Sequence, residues 1–432
     1  MGRIIRTVVI SAFFLMPALF AGCMFGSADK LYVSPRISEE SLALTALINK
    51  TKDADNELVS PGSGIYRRPV VLYDIDGDGS SVAFAFFKVK SEGLRINAFR
   101  SEKGVWVPAG SLSFEGDSFE RVDFADLNAD GSAEIAVSRR TGDGHVFLDV
   151  FSADASDLTL LLTSPCTDFY LFDALTGENS RDLVISDINA GETAALALYR
   201  FDSGDEITAL TADFSLGTVS ADRFLTGRLT DNALGLFVDC TIISGETVTD
   251  IFVYNALGFR NITLDGSGVS IARRAYPMRS FDVDFDRRPE VPSARLFPGR
   301  PGFADAYWIF DWYGFDSAGS RSFKLSTYHD FTDGWYFVIP EDLSDGFTVR
   351  VDITQGGERT VVFSARKTQA GPLTDFLTVC TFSGPDRHDL ASAGGRFILF
   401  EQNSRVSAAE ISAGGYISRD KAEASFFPGS AY

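Results

Sequence analysis

The residues Asp126-Leu127-Asn128-Ala129-Asp130-Gly131-Ser132-Ala133-Glu134 place oxygen-bearing side chains at positions 1, 3, 5 and 9 of one short loop. That spacing is how a hard cation such as Ca²⁺ is caged. Carboxylate and amide oxygens converge, and Gly131 lets the backbone turn sharply enough for the Ser132 carbonyl to join them. Apolar runs flank the loop, Phe124-Ala125 before it and Ile135-Ala136-Val137 after it, so it joins two strands and not two helices.

The same frame recurs along the chain. Asp74, Asp76 and Asp78 stand in it earlier, with Val82 where the fourth ligand would be, and Asp282, Asp284, Asp286 and Glu290 stand in it later, with Arg287 in place of the glycine. Weaker echoes fall near residues 174, 228 and 330. Between the loops come apolar strands such as Phe147–Phe151 and Asp250–Tyr254, most of them followed by Ser-, Asp-, Gly- or Asn-rich turns. A period of about 50 residues with four short strands is what one propeller blade needs, because a single blade cannot bury both its faces and must stack on neighbours. The expected fold is therefore all-β, a β-propeller of seven blades, or six. The segments Phe397–Phe400 and Ala408–Ile411 are expected to share a blade with the strand near residue 70 and close the ring.

Composition supports a packed body: 45% of residues are hydrophobic and 38 are Phe, which excludes disorder for most of the chain. The formal net charge of −20 would repel nucleic acid phosphates and anionic lipid headgroups. No nucleic acid partner is expected, and a monomer is.

Residues 1–22 read as a secretory signal, with Arg3 and Arg6 ahead of an apolar run from Val8 to Leu19 that is short for a membrane span. The run ends in Leu19-Phe20-Ala21-Gly22-Cys23, which resembles the lipobox of bacterial lipoproteins; Cys23 would then carry the lipid that holds the protein on the membrane. Residues 23–36 form a tether and 37–64 a short amphipathic helix and loop, with Leu42, Leu44, Leu47 and Ile48 on the apolar face. The propeller occupies 65–432. Cys166, Cys240 and Cys380 are odd in number and scattered, so they are expected as small buried hydrophobes and not as disulfide partners.

The loops at 74, 126 and 282 resemble FG-GAP/VCBS-type repeats, the family that includes the integrin α-subunit propeller. Together with the lipobox, the chain is similar to VCBS-repeat lipoproteins of Gram-positive bacteria. The resemblance implies an extracytoplasmic propeller with Ca²⁺ in its blade loops and implies no catalytic activity. Extracellular Ca²⁺ modules of this type bind weakly, on the order of 10⁻⁴–10⁻³ M. The competing reading of each loop is an Asx-turn, in which Asp and Asn bond their own backbone without metal.

Catalytic signatures are scarce. His145, His329 and His388 are isolated, and neither an HExxH nor a GxSxG pattern occurs. An aromatic-rich stretch holds Trp308, Trp312 and Trp335 with Tyr307, Tyr313, Phe315 and Tyr336; such rings stack on sugars or, more often, pack cores. Two functions follow: a lipid-anchored module that binds a protein or glycan, or an extracytoplasmic hydrolase acting on an envelope polymer or glycan. An exposed aromatic patch would favour the first. A cluster of unlike polar groups with a perturbed carboxylate would favour the second.

Overall fold

Short apolar runs broken by turn-forming residues favour hairpins between neighbours in the chain. The computed structural model describes residues 39–429 apart from 53–54, 91, 155–156, 174–180, 190–193, 203–205, 298–306, 344–346, 354–357, 367–370 and 413–415. Cys23, with the expected signal and tether, lies outside the described residues. Among the described residues no helix is long and apolar enough to cross a membrane.

Six antiparallel sheets succeed one another in chain order. Sheet 1 is Val70–Tyr73, Val82–Val89, Gly93–Glu102 and Val105–Phe114, with Asn56–Leu58 added beside Val82–Val89. Sheet 2 is Ser118–Ala125, Glu134–Arg140, Val146–Ala153 and Leu158–Pro165, and sheet 3 is Asp168–Asp173, Arg181–Ile188, Ala194–Asp202 and Glu206–Asp213. Sheet 4 runs from Thr218–Arg228 through Leu234–Ile242 and Thr247–Asn255 to Gly258–Asn261, with Arg273–Arg274 beside its third strand. Sheet 5 is Val291–Leu296, Trp308–Phe315, Arg321–Asp330 and Trp335–Ile339, extended by Phe426–Pro428. Sheet 6 is Phe347–Ile353, Arg359–Ala365, Thr374–Ser383, Arg405–Ile411 and, outermost, Phe397–Gln402.

Alternation along the strands stacks these sheets. In Glu134–Arg140, Ile135 and Val137 turn to sheet 1 while Ala136 turns to sheet 3, so one strand serves two cores and reads as a continuous apolar run. The device repeats. Val184, Leu196 and Leu198 of sheet 3 meet Leu236, Val238 and Phe252 of sheet 4, and Phe237 and Ile251 of sheet 4 meet Val291 and Phe315 of sheet 5. Ile309, Tyr328 and Phe337 of sheet 5 meet Val349, Val361 and Phe363 of sheet 6. This succession of four- and five-stranded antiparallel units packed face on face is a β-propeller. Six such units form among the described residues.

The closure differs from expectation. Phe397–Gln402 and Arg405–Ile411 pair with each other and with Thr374–Ser383, whereas Val70–Tyr73 pairs only with Val82–Val89. Helix α1 (Glu39–Thr51) lays Leu44 and Ile48 on Ala83, Ala85, Phe87 and Phe99, the face of sheet 1 turned away from sheet 2. Helix α2 (Arg387–Ser392) places Ala391 on Cys380, Phe382, Val406 and Ala408, the face of sheet 6 turned away from sheet 5. The turnover through α2 returns the chain to its own sheet, so the local pairing of Arg405–Ile411 is satisfied before it reaches sheet 1. Of the apolar residues in α1, Leu42 stays exposed. Leu44→Ala is expected to cost about 2–3 kcal/mol, at the low end for a buried leucine, read as a lower urea midpoint with unchanged slope.

Two buried ion pairs sit inside the sheets. Asp239 accepts from Arg274 Nη2 at 3.0 Å, from Thr249 Oγ1 at 2.6 Å, and from the N–H and hydroxyl of Ser280, both at 2.9 Å. Arg139 Nε donates to Asp149 at 2.6 Å in sheet 2. Cys166, Cys240 and Cys380 are free and buried.

Candidate cation loops and an aromatic pocket

The three acidic loops are one structure built three times. Tyr73 faces Val82, Ala125 faces Glu134 and Phe281 faces Glu290, which leaves 74–81, 126–133 and 282–289 as equivalent turns between paired strand ends. The backbone is left-handed at the fourth position, in Gly77, Ala129 and Phe285 with φ of 69°, 59° and 63°, and at the sixth, in Gly79, Gly131 and Arg287 with φ of 90°, 90° and 68°. A side chain in that region costs about 1–2 kcal/mol. Ala129, Phe285 and Arg287 bear it, so the turn is imposed by its surroundings and not by glycine alone.

The aspartates do the imposing. The first-position carboxylate accepts the sixth N–H through Oδ2: Asp74 from Gly79 at 3.0 Å, Asp126 from Gly131 at 3.1 Å, Asp282 from Arg287 at 2.8 Å. The third side chain, Asp76, Asn128 or Asp284, accepts the fifth N–H at 3.3, 3.0 and 3.1 Å. The fifth, Asp78, Asp130 or Asp286, accepts the seventh N–H at 2.6, 2.7 and 2.8 Å. Where the ninth residue is Glu, it accepts the second N–H: Glu134 Oε2 from Leu127 at 2.8 Å and Glu290 Oε2 from Val283 at 3.1 Å.

These bonds consume one oxygen of each first-position carboxylate. The other, Oδ1 of Asp74, Asp126 and Asp282, is buried without a hydrogen-bond partner in all three loops, and Glu290 Oε1 shares that state. A buried acceptor left unsatisfied is costly, and its recurrence at one loop position marks a place where a cation fits. The carboxylates of Asp74, Asp76 and Asp78 gather within 4.8 Å of one another, as do those of Asp282, Asp284 and Glu290. In the 126–133 loop the Asn128 amide instead donates to Asp130 Oδ2 at 3.1 Å. Burial pushes the Glu134 carboxyl up to about 7 and that of Glu290 up to about 8, and it raises Asp282 as well.

The remaining echoes are committed to protein partners or lie partly outside view. Residues 174–180 fall outside the described residues, although Arg181 donates its N–H to the Asp126 carbonyl at 2.9 Å. The turn after Arg228 is shorter, because Arg228 already faces Leu234, and its Asp231 accepts the Ser317 hydroxyl at 2.6 Å. At 330 the Arg359 guanidinium takes Asp330 Oδ2 at 2.8 Å and also pairs with Asp333, filling with a side chain the role of an ion. The loops also fasten sheet to sheet. Ala133 N–H donates to Ile75 O at 2.9 Å, and a Cβ on Gly227 would come within 2.3 Å of the Pro289 ring, so sheet 4 approaches the 282–289 loop through a glycine.

The aromatic-rich stretch divides. Trp312, Trp335, Tyr336 and Phe315 are buried in cores. Trp308 and Tyr307 join Tyr276, Phe331, Asp330 and Arg359 around a pocket of about 160 Å³ at the seam of sheets 5 and 6. Tyr276 was not singled out by sequence, since it belongs to no strand and no repeat position. His329 lies beneath the pocket, its Nε2 2.8 Å from Thr327 Oγ1, and burial pushes its pKa down to about 3, leaving a neutral ring.

No protein-family model matches the chain, and neither does any curated protein. Solved structures that resemble it include the periplasmic gluconolactonase PpgL of Pseudomonas aeruginosa, 12% identical over 73% of this chain and 86% of that one, with a TM-score of 0.28. Another is the GH43_1 enzyme from Xanthomonas citri, 13% identical over 60% and 90%, with a TM-score of 0.22. A third is Sqt1 of Saccharomyces cerevisiae, 11% identical over 69% and 82%, with a TM-score of 0.24. Likeness at this level says nothing about what this chain binds. The propeller assignment stands on the order and stacking of its own strands.

Proposed function

We propose that the chain is a non-enzymatic β-propeller binding module whose acidic loops are stiffened by Ca²⁺, tethered through lipid on Cys23 outside a bacterial cytoplasmic membrane, with a protein or glycan partner. The observation that carries the cation reading is the orphaned Oδ1 at the first position of all three loops. Asp282, Asp284 and Glu290 would hold one ion and Asp74, Asp76 and Asp78 another, while Asp126, Asp130 and Glu134 would hold a third once Asn128 offers its oxygen. Hard oxygen donors of this kind suit Ca²⁺. The tether rests on the lipobox-like residues alone, and the FG-GAP/VCBS assignment on the loops alone. The Trp308 and Tyr276 rings beside Arg359 give a place where a sugar could stack, which supports the binding reading.

The second reading, a hydrolase acting on an envelope polymer or glycan, has one feature in its favour: carboxyls held protonated near neutrality, as a general acid must be. Glu134 and Glu290 meet that condition, but each bonds the backbone of its own loop. Calorimetric titration with Ca²⁺ should give binding on the order of 10⁻⁴–10⁻³ M, with one site lost in Asp282→Asn. Absence of heat, together with a melting temperature that Ca²⁺ leaves unmoved, would overturn the cation reading. Release of reducing ends from an envelope glycan would replace the binding module with the hydrolase.

A further inference from the structure

We propose that Lys324 is a built-in counter-ion of the 282–289 loop, so that this loop holds its shape without a divalent ion and takes one only by exchange with the ammonium. The inference rests on the cation reading above. Lys324 lies on Arg321–Asp330 in sheet 5, and its Nζ reaches Asp286 Oδ2 at 3.0 Å and Asp284 Oδ2 at 4.0 Å. Among the described residues no lysine or arginine forms an ion pair with Asp74, Asp76 or Asp78, nor with Asp126 or Asp130.

The ammonium satisfies only the outer part of the cluster. It stands against Asp284 and Asp286, while Asp282 Oδ1 and Glu290 Oε1, deeper in the loop, keep no hydrogen-bond partner, and Glu290 is fully buried. A site with its rim neutralised and its floor open is what an exchange mechanism requires. A dication entering between Asp282, Asp284 and Glu290 would meet the like charge of an ammonium that stands 4.0 Å from Asp284 Oδ2, and would displace it. Lysine suits that part better than arginine, because its charge is a single point on a flexible four-carbon stem that can swing out to water. Arg288, the neighbour that sequence would nominate, stands farther off: its Nη1 is 3.9 Å from Asp286 and its Nη2 donates to Asn232 Oδ1 at 2.8 Å. Among the described residues the three loops therefore divide into two whose aspartates form no ion pair with a lysine or arginine and one that carries its own cation.

The test uses the full chain, with Ca²⁺ alone as probe, in calorimetric titration and in thermal unfolding with and without chelator. Lys324→Met should tighten one site by roughly tenfold or more, since a like charge near the ion is gone. That gain should vanish in the Lys324→Met/Asp282→Asn double variant. In chelator Lys324→Met should melt below the wild type, and Ca²⁺ should restore it. Lys324→Arg, which keeps the charge but yields it less readily, should melt as the wild type does in chelator and show no tightening of the site, which separates loss of charge from loss of packing. A Lys324→Met protein whose titration matches the wild type while Ca²⁺ still binds elsewhere overturns this inference alone. Absence of Ca²⁺ binding in every variant overturns the cation reading and this inference together.

Discussion

Asp239→Ala should destabilise the protein by about 3–5 kcal/mol, the loss typical when one partner of a buried ion pair is removed. Arg274 is the reason. Its side chain is fully enclosed, and although Thr249 Oγ1 at 2.8 Å, Met278 O at 2.6 Å and Ala272 O at 3.1 Å accept its protons, Asp239 is the anion that balances its charge. With the carboxylate gone, a guanidinium stays buried without a counter-charge, and Ser280 loses the acceptor for both its N–H and its hydroxyl. Urea unfolding followed by tryptophan fluorescence reads the loss. Replacing both partners, as in Asp239→Leu/Arg274→Met, should recover much of it, because the desolvation cost leaves with the charges. A single-variant loss below 1 kcal/mol would show that water reaches Arg274.

In chelator, stability should fall as pH rises from about 5 to above 8. Glu134 and Glu290, which ordinarily titrate near 4.5, are pushed by burial up to about 7 and about 8. The folded protein therefore keeps protons that the unfolded chain releases. The sign follows: their stabilising contribution is complete below 4.5 and is lost as pH climbs through 7 and 8. Asp250, fully buried and raised to about 6, acts in the same direction at lower pH. The combined effect is on the order of a few kcal/mol. With saturating Ca²⁺ the slope should flatten or reverse, because the ion needs the deprotonated carboxylates and competes with their protons. Melting curves at pH 5 and pH 8.5, with and without chelator, check this, and Glu134→Gln/Glu290→Gln should lose most of the dependence. A chelated protein that gains stability over this range would contradict it.

The repeat interval, the strands and the loops were legible because each is written locally. An apolar run beside an Asp-x-Asp turn folds the same way wherever it sits. The closure was not legible: whether Arg405–Ile411 joins the first sheet or its own depends on where α2 turns the chain, and no residue pattern states that. Arg287 looked like a defect in its loop, yet it adopts the left-handed backbone because Asp282 accepts its N–H. Lys324 and Arg359 escaped notice for a different reason. Lys324 reaches its carboxylates from the third strand of sheet 5 to the loop before the first, and Arg359 reaches from sheet 6 to sheet 5, so nothing local ties residue 324 to 286 or 359 to 330. The tryptophans were ambiguous as a group because sequence density does not separate a ring facing a core from one facing a pocket, and the structure sends Trp312 to the first and Trp308 to the second.

Helices α1 and α2 cover the outer faces of the two terminal sheets, Leu44 and Ile48 on sheet 1 and Ala391 on sheet 6, so each of those apolar faces is closed by a helix. A unit of about 50 residues duplicated in the interior would meet two compatible neighbours, as every interior unit does. The two covering helices would have to stay through any such change, because each shields the apolar outer face of a terminal sheet.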